Sequence, residues 1–369
     1  DVSHALRTSM FGTVDSDVNF NSQSQKLKML AAAGAEDLLD LRAPTLTEYY
    51  QKTKHPLVKL FLDFAKYEKL TTTYGADFLK HINPVTGRIH QSIRQVEART
   101  GRLAGRSPNL MNIPKKTEEY RKFRKCFVAG TGVFWVNGVA TKLEKPRSLC
   151  VADFSQQELR ILAEISGDKK LAQAFEQKID VHLHVARILF KDKTIGEKDE
   201  RRRSAKNFNF GLLYGMGPDK LAKALGCSLS EAKDLMRVHA EEFRQVFEWT
   251  NDIGQSAKVK GFVTTMLGRR RYADAEVFDS GTVARNTPIQ GTAADITKIA
   301  VVMFDRKIDW PETAIVNIVH DEIVVDTYED IAQDVFDTLI KTMVDAAGVL
   351  VKSVPFAADG YISKRWHPN

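Results

Sequence analysis

Apolar residues recur at three- and four-residue spacing over 26–30 and 57–70, which predicts amphipathic helices within a largely helical stretch 1–82. Polar segments at 15–24 and 42–47 are expected to break it, and a turn follows at 83–87. Residues 91–114 are polar, rich in Arg and Gly, and carry little helical periodicity, whereas 118–126 reads as a short basic helix. Two β-rich runs at 133–136 and 139–143 flank Asn137-Gly138, a pair suited to a type I′ hairpin turn. An apolar run at 149–154 contains Asp153 near its end and leads into a helical pattern over 156–166. The helical pattern then continues to about residue 279, with breaks at Gly217-Pro218, Gly226 and Gly261, and a further long helix is expected over 283–307. Two short β-rich runs, 315–319 and 323–325, enclose His320-Asp321-Glu322 as a tight hairpin. A helix over 329–347 and a last strand within 355–363 complete the pattern. Few strands separated by long helical stretches predict an α+β fold and not a regular alternation of strand and helix.

Composition narrows the class. Of 369 residues, 43 % are hydrophobic and 27 % charged, the balance of a folded chain. The apolar runs reach about half a dozen residues, far short of the roughly 18 that a spanning helix needs, so no membrane partner is expected. The three cysteines, Cys126, Cys150 and Cys227, have no metal-ligand spacing and suit a reducing compartment. Lys plus Arg total 54 against 47 Asp plus Glu, a net charge of +7 that is compatible with an anionic partner without requiring one. The chain opens at Asp1 with no signal-like segment, as expected of a trimmed piece.

Four constellations carry candidate chemistry. Asp153 and Asp321 each end a strand-like run, with Glu322 beside the second. Neighbouring strands would converge the carboxylates, and converging carboxylates suit hard cations such as Mg²⁺; aspartates also simply favour strand ends. Arg202, Lys206, Phe210 and Tyr214 are spaced by four, one stripe of a helix rising about 6 Å per step. Two cations followed by two rings match a nucleoside triphosphate laid along the helix, or a basic end leading into an aromatic core stripe. The passage from Arg99 and Arg102 to Asn109, Asn112 and Pro114 offers donors to an anionic strand, or forms an irregular surface loop. In 288–295, Gln290 could donate to a base edge, while Gly291, Ala293 and Ala294 suit close helix packing.

The order of these signals is more specific than any one of them. Asp153-Phe154-Ser155-Gln156-Gln157-Glu158-Leu159-Arg160 resembles motif A of the family A DNA polymerases. The run Arg202, Lys206, Phe210-Gly211, Tyr214-Gly215 resembles motif B, and Val319-His320-Asp321-Glu322 resembles motif C. Segments around Arg99–Arg102, 108–114, 268–272 and 288–295 fall in the family's order, so the resemblance runs from about residue 55 to the end. It implies a right-hand fold: a thumb (1–82) that looks truncated at its N-terminus, a palm in two parts with a small antiparallel sheet (83–160 and 282–369), and helical fingers (161–281).

The resemblance also implies a reaction: template-directed addition of deoxynucleotides to a primer 3′-hydroxyl with release of pyrophosphate. Asp153, Asp321 and the Phe154 carbonyl would hold two Mg²⁺ ions, with Mn²⁺ as a substitute, supported by Glu322. Lys206, also counted among the catalytic groups, would bind dNTP together with Gln156, His182, Arg202, Phe210 and Tyr214. Glu158 matches the steric gate against a 2′-hydroxyl, and Phe in place of Tyr at 210 implies rejection of dideoxynucleotides. Arg102, Asn109, Asn112, Arg271, Asn286, Gln290 and His320 match contacts to primer–template DNA. A monomer in the cytoplasm of a bacterial or phage-infected cell, or in an organelle, is implied, with no room for an exonuclease domain in this length. Departures from the pattern are Gln157, Phe154, Gly281-Thr282 and a long stretch at 131–146. The rival of the same architecture is a single-subunit RNA polymerase or a reverse-transcribing variant. Glu158 and the His-Asp-Glu triplet favour the DNA enzyme. A rival of another class is a catalytically silent DNA-binding module.

Overall fold

The computed structural model describes residues 22–368 apart from 116, 131–132, 137–138, 143–144, 214, 280 and 311. The chain divides into two compact units, Asp1–His90 and Gln91–Asn369. In the first unit, helices α1 (Gln23–Ala32), α2 (Ala43–Thr53) and α3 (Pro56–Tyr74) enclose a small core of Leu30, Leu46, Val58 and Phe61. The break expected at 42–47 is mostly helix. Arg42 alone stays outside as the N-cap, because Pro44 sits in the first turn, where its missing N–H leaves no bond unmade.

The second unit is built on a four-stranded antiparallel sheet of order β10-β5-β9-β8. Its strands are β5 (Arg147–Phe154), β8 (Ala314–Val319), β9 (Glu322–Tyr328) and β10 (Ala358–Ser363). The inner strands β5 and β9 are buried along almost their whole length, which is why they read as continuous apolar runs instead of alternating ones. Helix α14 (Ala332–Leu350) packs on β5 and β10, and the long helix α13 (Thr282–Asp305) packs along α14. Phe304, Ile323, Val325, Leu339 and Met343 form the core between them. At one end of the sheet, the buried pair of Arg147 Nε and Asp326 Oδ1, 2.7 Å apart, fixes the register of β5 against β9. At the other end that register sets Asp153 opposite Glu322. The last strand starts at Ala358, three residues beyond Pro355, which has no N–H to donate to a ladder.

Smaller elements precede the sheet. Strands β1 (Ser92–Arg94) and β2 (Ala104–Arg106) pair within the Arg-rich passage, α4 (Glu118–Arg124) follows, and β3 (Val133–Val136) pairs with β4 (Val139–Lys142). The turn residues Asn137 and Gly138 lie outside the described residues. Between β5 and α13 the chain is helical: α5 (Gln157–Ser166), α6 (Lys169–Glu176), α7 (Val181–Leu189), α8 (Glu200–Leu213), α9 (Pro218–Leu225), α10 (Leu229–Glu242), α11 (Arg244–Lys260) and α12 (Ala275–Asp279). The helical reading of this stretch missed a hairpin of β6 (Phe262–Thr264) and β7 (Arg270–Tyr272). Three-residue strands are too short to show alternation, and the hairpin is entered through Gly261 at φ 70° and turned at Gly268 at φ 88°. Asp168 and Asp180 add breaks that periodicity did not reveal, because each carboxylate caps the next helix by accepting its free N–H groups. Among the described residues no helix is long and apolar enough to cross a membrane.

Candidate active site

The two aspartates meet because β5 ends beside the β8–β9 hairpin. Phe154 N–H donates to the carbonyl of Asp321 at 3.3 Å, which links the two carboxylate-bearing segments directly. Two non-glycine residues flank them in the left-handed region, Gln156 at φ 53° and His320 at φ 59°. Such backbone costs on the order of 1 kcal/mol each and persists where surrounding contacts over-determine it. Asp153 Oδ1 is buried and has no hydrogen-bond partner. Burial, and then the neighbouring Asp153 charge, push the Asp321 carboxyl well above the usual carboxylate range. An unpartnered oxygen facing a second acid is a poor protein–protein contact and a good oxygen donor to a hard cation, so the donor set fits a divalent metal. The Phe154 ring is buried edge-on against Phe356, centroids 6.0 Å apart, leaving its backbone as the part adjacent to the pair. Among the described residues no three His, Cys, Asp or Glu side chains form a metal-holding cluster. Glu322, expected beside the aspartates, lies opposite Asp153 and shares Lys115 with it, while the rest of its carboxylate is held from the interior.

Glu322 is held by groups that motif reading did not find. Its Oε1 accepts from Trp366 Nε1 at 2.8 Å and from Arg124 Nη1 at 3.2 Å, and the guanidinium lies 4.2 Å from the Trp366 ring centre. Arg124 Nη2 also donates to the Ile113 carbonyl at 3.1 Å. Arg124, Glu322 and Trp366 are all under 5 % exposed. A buried carboxylate demands this pairing, since alone it would be strongly destabilising. Lys115 closes the outer side, with Nζ 2.6 Å from Asp153 Oδ2 and 3.4 Å from Glu322 Oε2. Partial desolvation opposes the charge on Lys115, but Asp153 and Glu322 outweigh it and hold the ammonium above its ordinary pKa.

Of the residues expected to contact nucleotide, Gln156 is the N-cap residue of α5, Glu158 lies on α5, His182 on α7 and Arg202, Lys206 and Phe210 on α8. Glu158, in the first turn of α5, pairs with Arg102 at 2.6 Å, so a residue read as a sugar gate and one read as a DNA contact share a salt bridge. Arg202 Nε donates to Asp180 Oδ2 at 2.7 Å, and Asp180 caps α7 by accepting from the N–H groups of His182 and Leu183. Burial opposes ionisation of Asp180, but Arg202 keeps its carboxyl below the usual range. Among the described residues of α8 the side chains of Ala205, Phe208 and Asn209 are buried, Arg202 is half-buried and Lys206 is exposed. Arg202, seven residues before Asn209, lies at the edge of the buried face, and Lys206 lies off it. Tyr214 and the side chain of Phe210 lie outside the described residues. Asn209 Nδ2 donates to His182 Nδ1 at 3.2 Å, and its Oδ1 accepts from His239 Nε2 at 3.2 Å. This chain requires His182 to be neutral. Burial, followed by the nearby Lys206, pushes His182 down to about 4, and burial pushes His239 down to about 4.

The residues read as DNA contacts fall in two groups. Arg271 Nη1 donates to Thr287 Oγ1 at 3.0 Å, which brings it to the helix carrying Asn286 and Gln290. Asn286 Oδ1 is buried without a partner. Asn109 has a local structural role, accepting from Met111 N–H at 3.0 Å at the start of a 3-10 turn, while Asn112 and His320 are exposed. Arg269, within the 268–272 segment but without a role of its own in the sequence, stitches the groups together: it donates to the Thr100 carbonyl at 2.9 Å, the Gly291 carbonyl at 3.1 Å and Asp295 Oδ1 at 3.2 Å. A Cβ on Gly101 or Gly291 would collide with its guanidinium at 2.3 and 2.8 Å. These two glycines therefore serve Arg269. Gln157, the motif departure, is buried and donates to the Ala293 carbonyl at 3.2 Å, so it ties α5 to α13.

An antiparallel sheet with two aspartates at one end and a mainly helical insertion after β5 defines an α+β class of fold, and comparison with known proteins gives the family. A model of DNA polymerase family A matches residues 3–368, and the chain belongs to that family. It is 34 % identical over 319 residues to the thermostable DNA polymerase I of Thermus filiformis, covering 85 % of this chain and 36 % of that protein. With DNA polymerase I of Caldicellulosiruptor bescii it shares 32 % identity over 379 residues, 98 % of this chain and 42 % of the relative. The chain thus spans less than half the length of these curated relatives. A solved structure, the polymerase domain of Pol1 from M. smegmatis in complex with DNA primer-template and dNTP, matches with a TM-score of 0.84 and 29 % identity. That match covers 99 % of this chain and 63 % of the other. The fold is therefore that of a family A polymerase domain.

Two outcomes follow from these networks. Arg124→Met, which removes the buried guanidinium partner of Glu322 and leaves it only Trp366 and Lys115, is expected to cost about 3 kcal/mol in urea denaturation. Combined with Glu322→Gln, the loss should fall short of the sum of the single losses by about 1–3 kcal/mol. For the histidines, the unfolded chain binds protons below about pH 6.5 while the folded rings stay neutral down to about 4. The unfolded state then holds more protons, so stability falls as pH drops through that window, by roughly 1 kcal/mol per pH unit for buried His182. Denaturation midpoints at pH 7.5 and 5 measure this, and His182→Gln should flatten the dependence.

Proposed function

We propose that this chain carries out template-directed DNA synthesis, adding deoxynucleoside monophosphates from dNTPs to a primer 3′-hydroxyl and releasing pyrophosphate. The observation that carries the reading is the convergence of Asp153 and Asp321 at one end of β5 and β9, with Asp153 Oδ1 buried and unpartnered. Family membership supports it, as does likeness to a domain whose structure holds primer-template and dNTP. Asp153, Asp321 and the Phe154 carbonyl hold two divalent cations, Mg²⁺ or in its place Mn²⁺. When bound, such ions lower the pKa of the attacking hydroxyl and neutralise the triphosphate.

The chain's own residues supply binding and selection. Arg202 exchanges its Asp180 partner for a phosphate, a charge-assisted fork in either state, and Lys206 adds a point charge one turn further on. His182 stays neutral and so presents a ring N–H to phosphate, and Gln156 lines the same pocket. Phe210 stacks on the incoming base, and Tyr214 occupies the template-base position until the fingers close. Glu158, fixed by Arg102, sits under the sugar and leaves a 2′-hydroxyl without room or a partner. Arg102, Asn109, Asn112, Arg271, Asn286, Gln290 and His320 contact primer–template. In this reading 1–82 is thumb, 83–160 and 282–369 are palm, and 161–281 is fingers.

Primer extension tests the proposal. Asp153→Asn and Asp321→Asn should each lower the rate by about 10³-fold or more, the equivalent of about 4 kcal/mol of transition-state stabilisation. Extension that survives both substitutions intact would exclude the metal assignment. Glu158→Ala should raise ribonucleotide incorporation relative to deoxynucleotide. If the unsubstituted chain already prefers rNTP, it is the RNA-polymerase variant, and parallel DNA and RNA templates expose a reverse-transcribing one.

A further inference from the structure

Lys115 stands at the carboxylate pair and has no part in the nucleotidyl transfer assigned to this site. Its position is built. The Arg121 guanidinium donates through Nε to the Lys115 carbonyl at 3.2 Å, and Arg124 Nη2 donates to the carbonyl of Ile113, two residues earlier and 2 % exposed. With Pro114 between them, the backbone is held on both sides, and the side chain reaches across to Asp153 Oδ2 and Glu322 Oε2. The two oxygens of Asp153 are thereby treated differently: Oδ2 carries the ammonium, while Oδ1 is buried with no partner. The Lys115 side chain remains 53 % exposed, so it can leave without disturbing the core. An isolated surface pair with this exposure contributes little to stability. Here its consequence lies elsewhere, in the charge it places beside a site for a divalent cation.

We propose that Lys115 is a tethered counter-ion that shares Asp153 with the divalent metal and sets how tightly the metal is held before nucleotide binds. This rests on the reading that Asp153 and Asp321 hold the metal. A dication seated on Asp153 experiences repulsion from an ammonium on the same carboxylate, and a small oxygen-seeking ion must displace that ammonium to complete its coordination. Lys115 therefore weakens the metal site of the free protein while sparing the acidic cluster an uncompensated charge when no metal is bound.

Binding of Mn²⁺ to the nucleotide-free protein, followed by the electron paramagnetic resonance of the unbound ion, tests this without any turnover. Lys115→Met and Lys115→Gln are expected to tighten Mn²⁺ binding about tenfold, equivalent to about 1.4 kcal/mol. Lys115→Arg, which keeps the charge, should stay within about twofold of the unsubstituted chain, and Asp153→Asn should abolish the tight site. If the neutral variants bind Mn²⁺ no tighter while Asp153→Asn still abolishes binding, the counter-ion role is overturned and the metal assignment stands. The counter-ion role is likewise overturned if Lys115→Arg behaves like the neutral variants. If Asp153→Asn binds as the unsubstituted chain does, the metal assignment fails and the role of Lys115 fails with it.

Discussion

The structure turns on holding like charges together at the end of one strand pair. The β5–β9 register sets Asp153 against Glu322, and the hairpin that starts β9 adds Asp321. Three acids in one place repel each other and resist burial, and the fold answers with fixed donors and cations: Arg124 and Trp366 on Glu322, Lys115 on Asp153. The far end of the same strand pair carries the buried Arg147–Asp326 bridge, which removes the freedom to slip by a residue. A slip would turn Asp153 to the opposite face of the sheet. The continuous apolar burial of both inner strands and the left-handed residues at 156 and 320 serve the same end.

A common logic runs through the site. Asp153 with Lys115, Glu322 with Arg124, Glu158 with Arg102 and Asp180 with Arg202 are acid–base pairs inside the protein. Those at the surface of the site are partly exposed and exchangeable, while the Arg124–Glu322 pair is buried and permanent. On the proposed reading, a ligand carrying phosphates or cations would replace one partner with another and need not create charge interactions from nothing. The net electrostatic change on binding would then be small, leaving selectivity to the geometry that preorganised pairs supply.

Much of this was legible in the sequence where the information is local or periodic. The runs ending at Asp153 and Asp321 announced strands with carboxylates at their ends, and four-residue spacing put Arg202 and Lys206 on one helical face. Short elements escaped: the β6–β7 hairpin has three-residue strands, and the helix starts at Asp168 and Asp180 each depend on one capping carboxylate. Arg124 was visible only as one cation in a basic helix, with nothing to separate it from its solvated neighbours Arg121 and Lys122.

The sequence by itself determined the long helices, the main strands and the order of the motifs, because each of these is written in short-range pattern, and the motif order singled out Asp153 and Asp321. Tertiary structure alone decided which partner each charge takes. Lys115 finds Asp153 across 38 residues, and Arg124 finds Glu322 across 198. It also supplied Arg124 and Trp366 to hold Glu322, and set Gly101 and Gly291 against the Arg269 guanidinium. Such pairings depend on the distance and desolvation created when the sheet closes, and no periodicity along the chain encodes either.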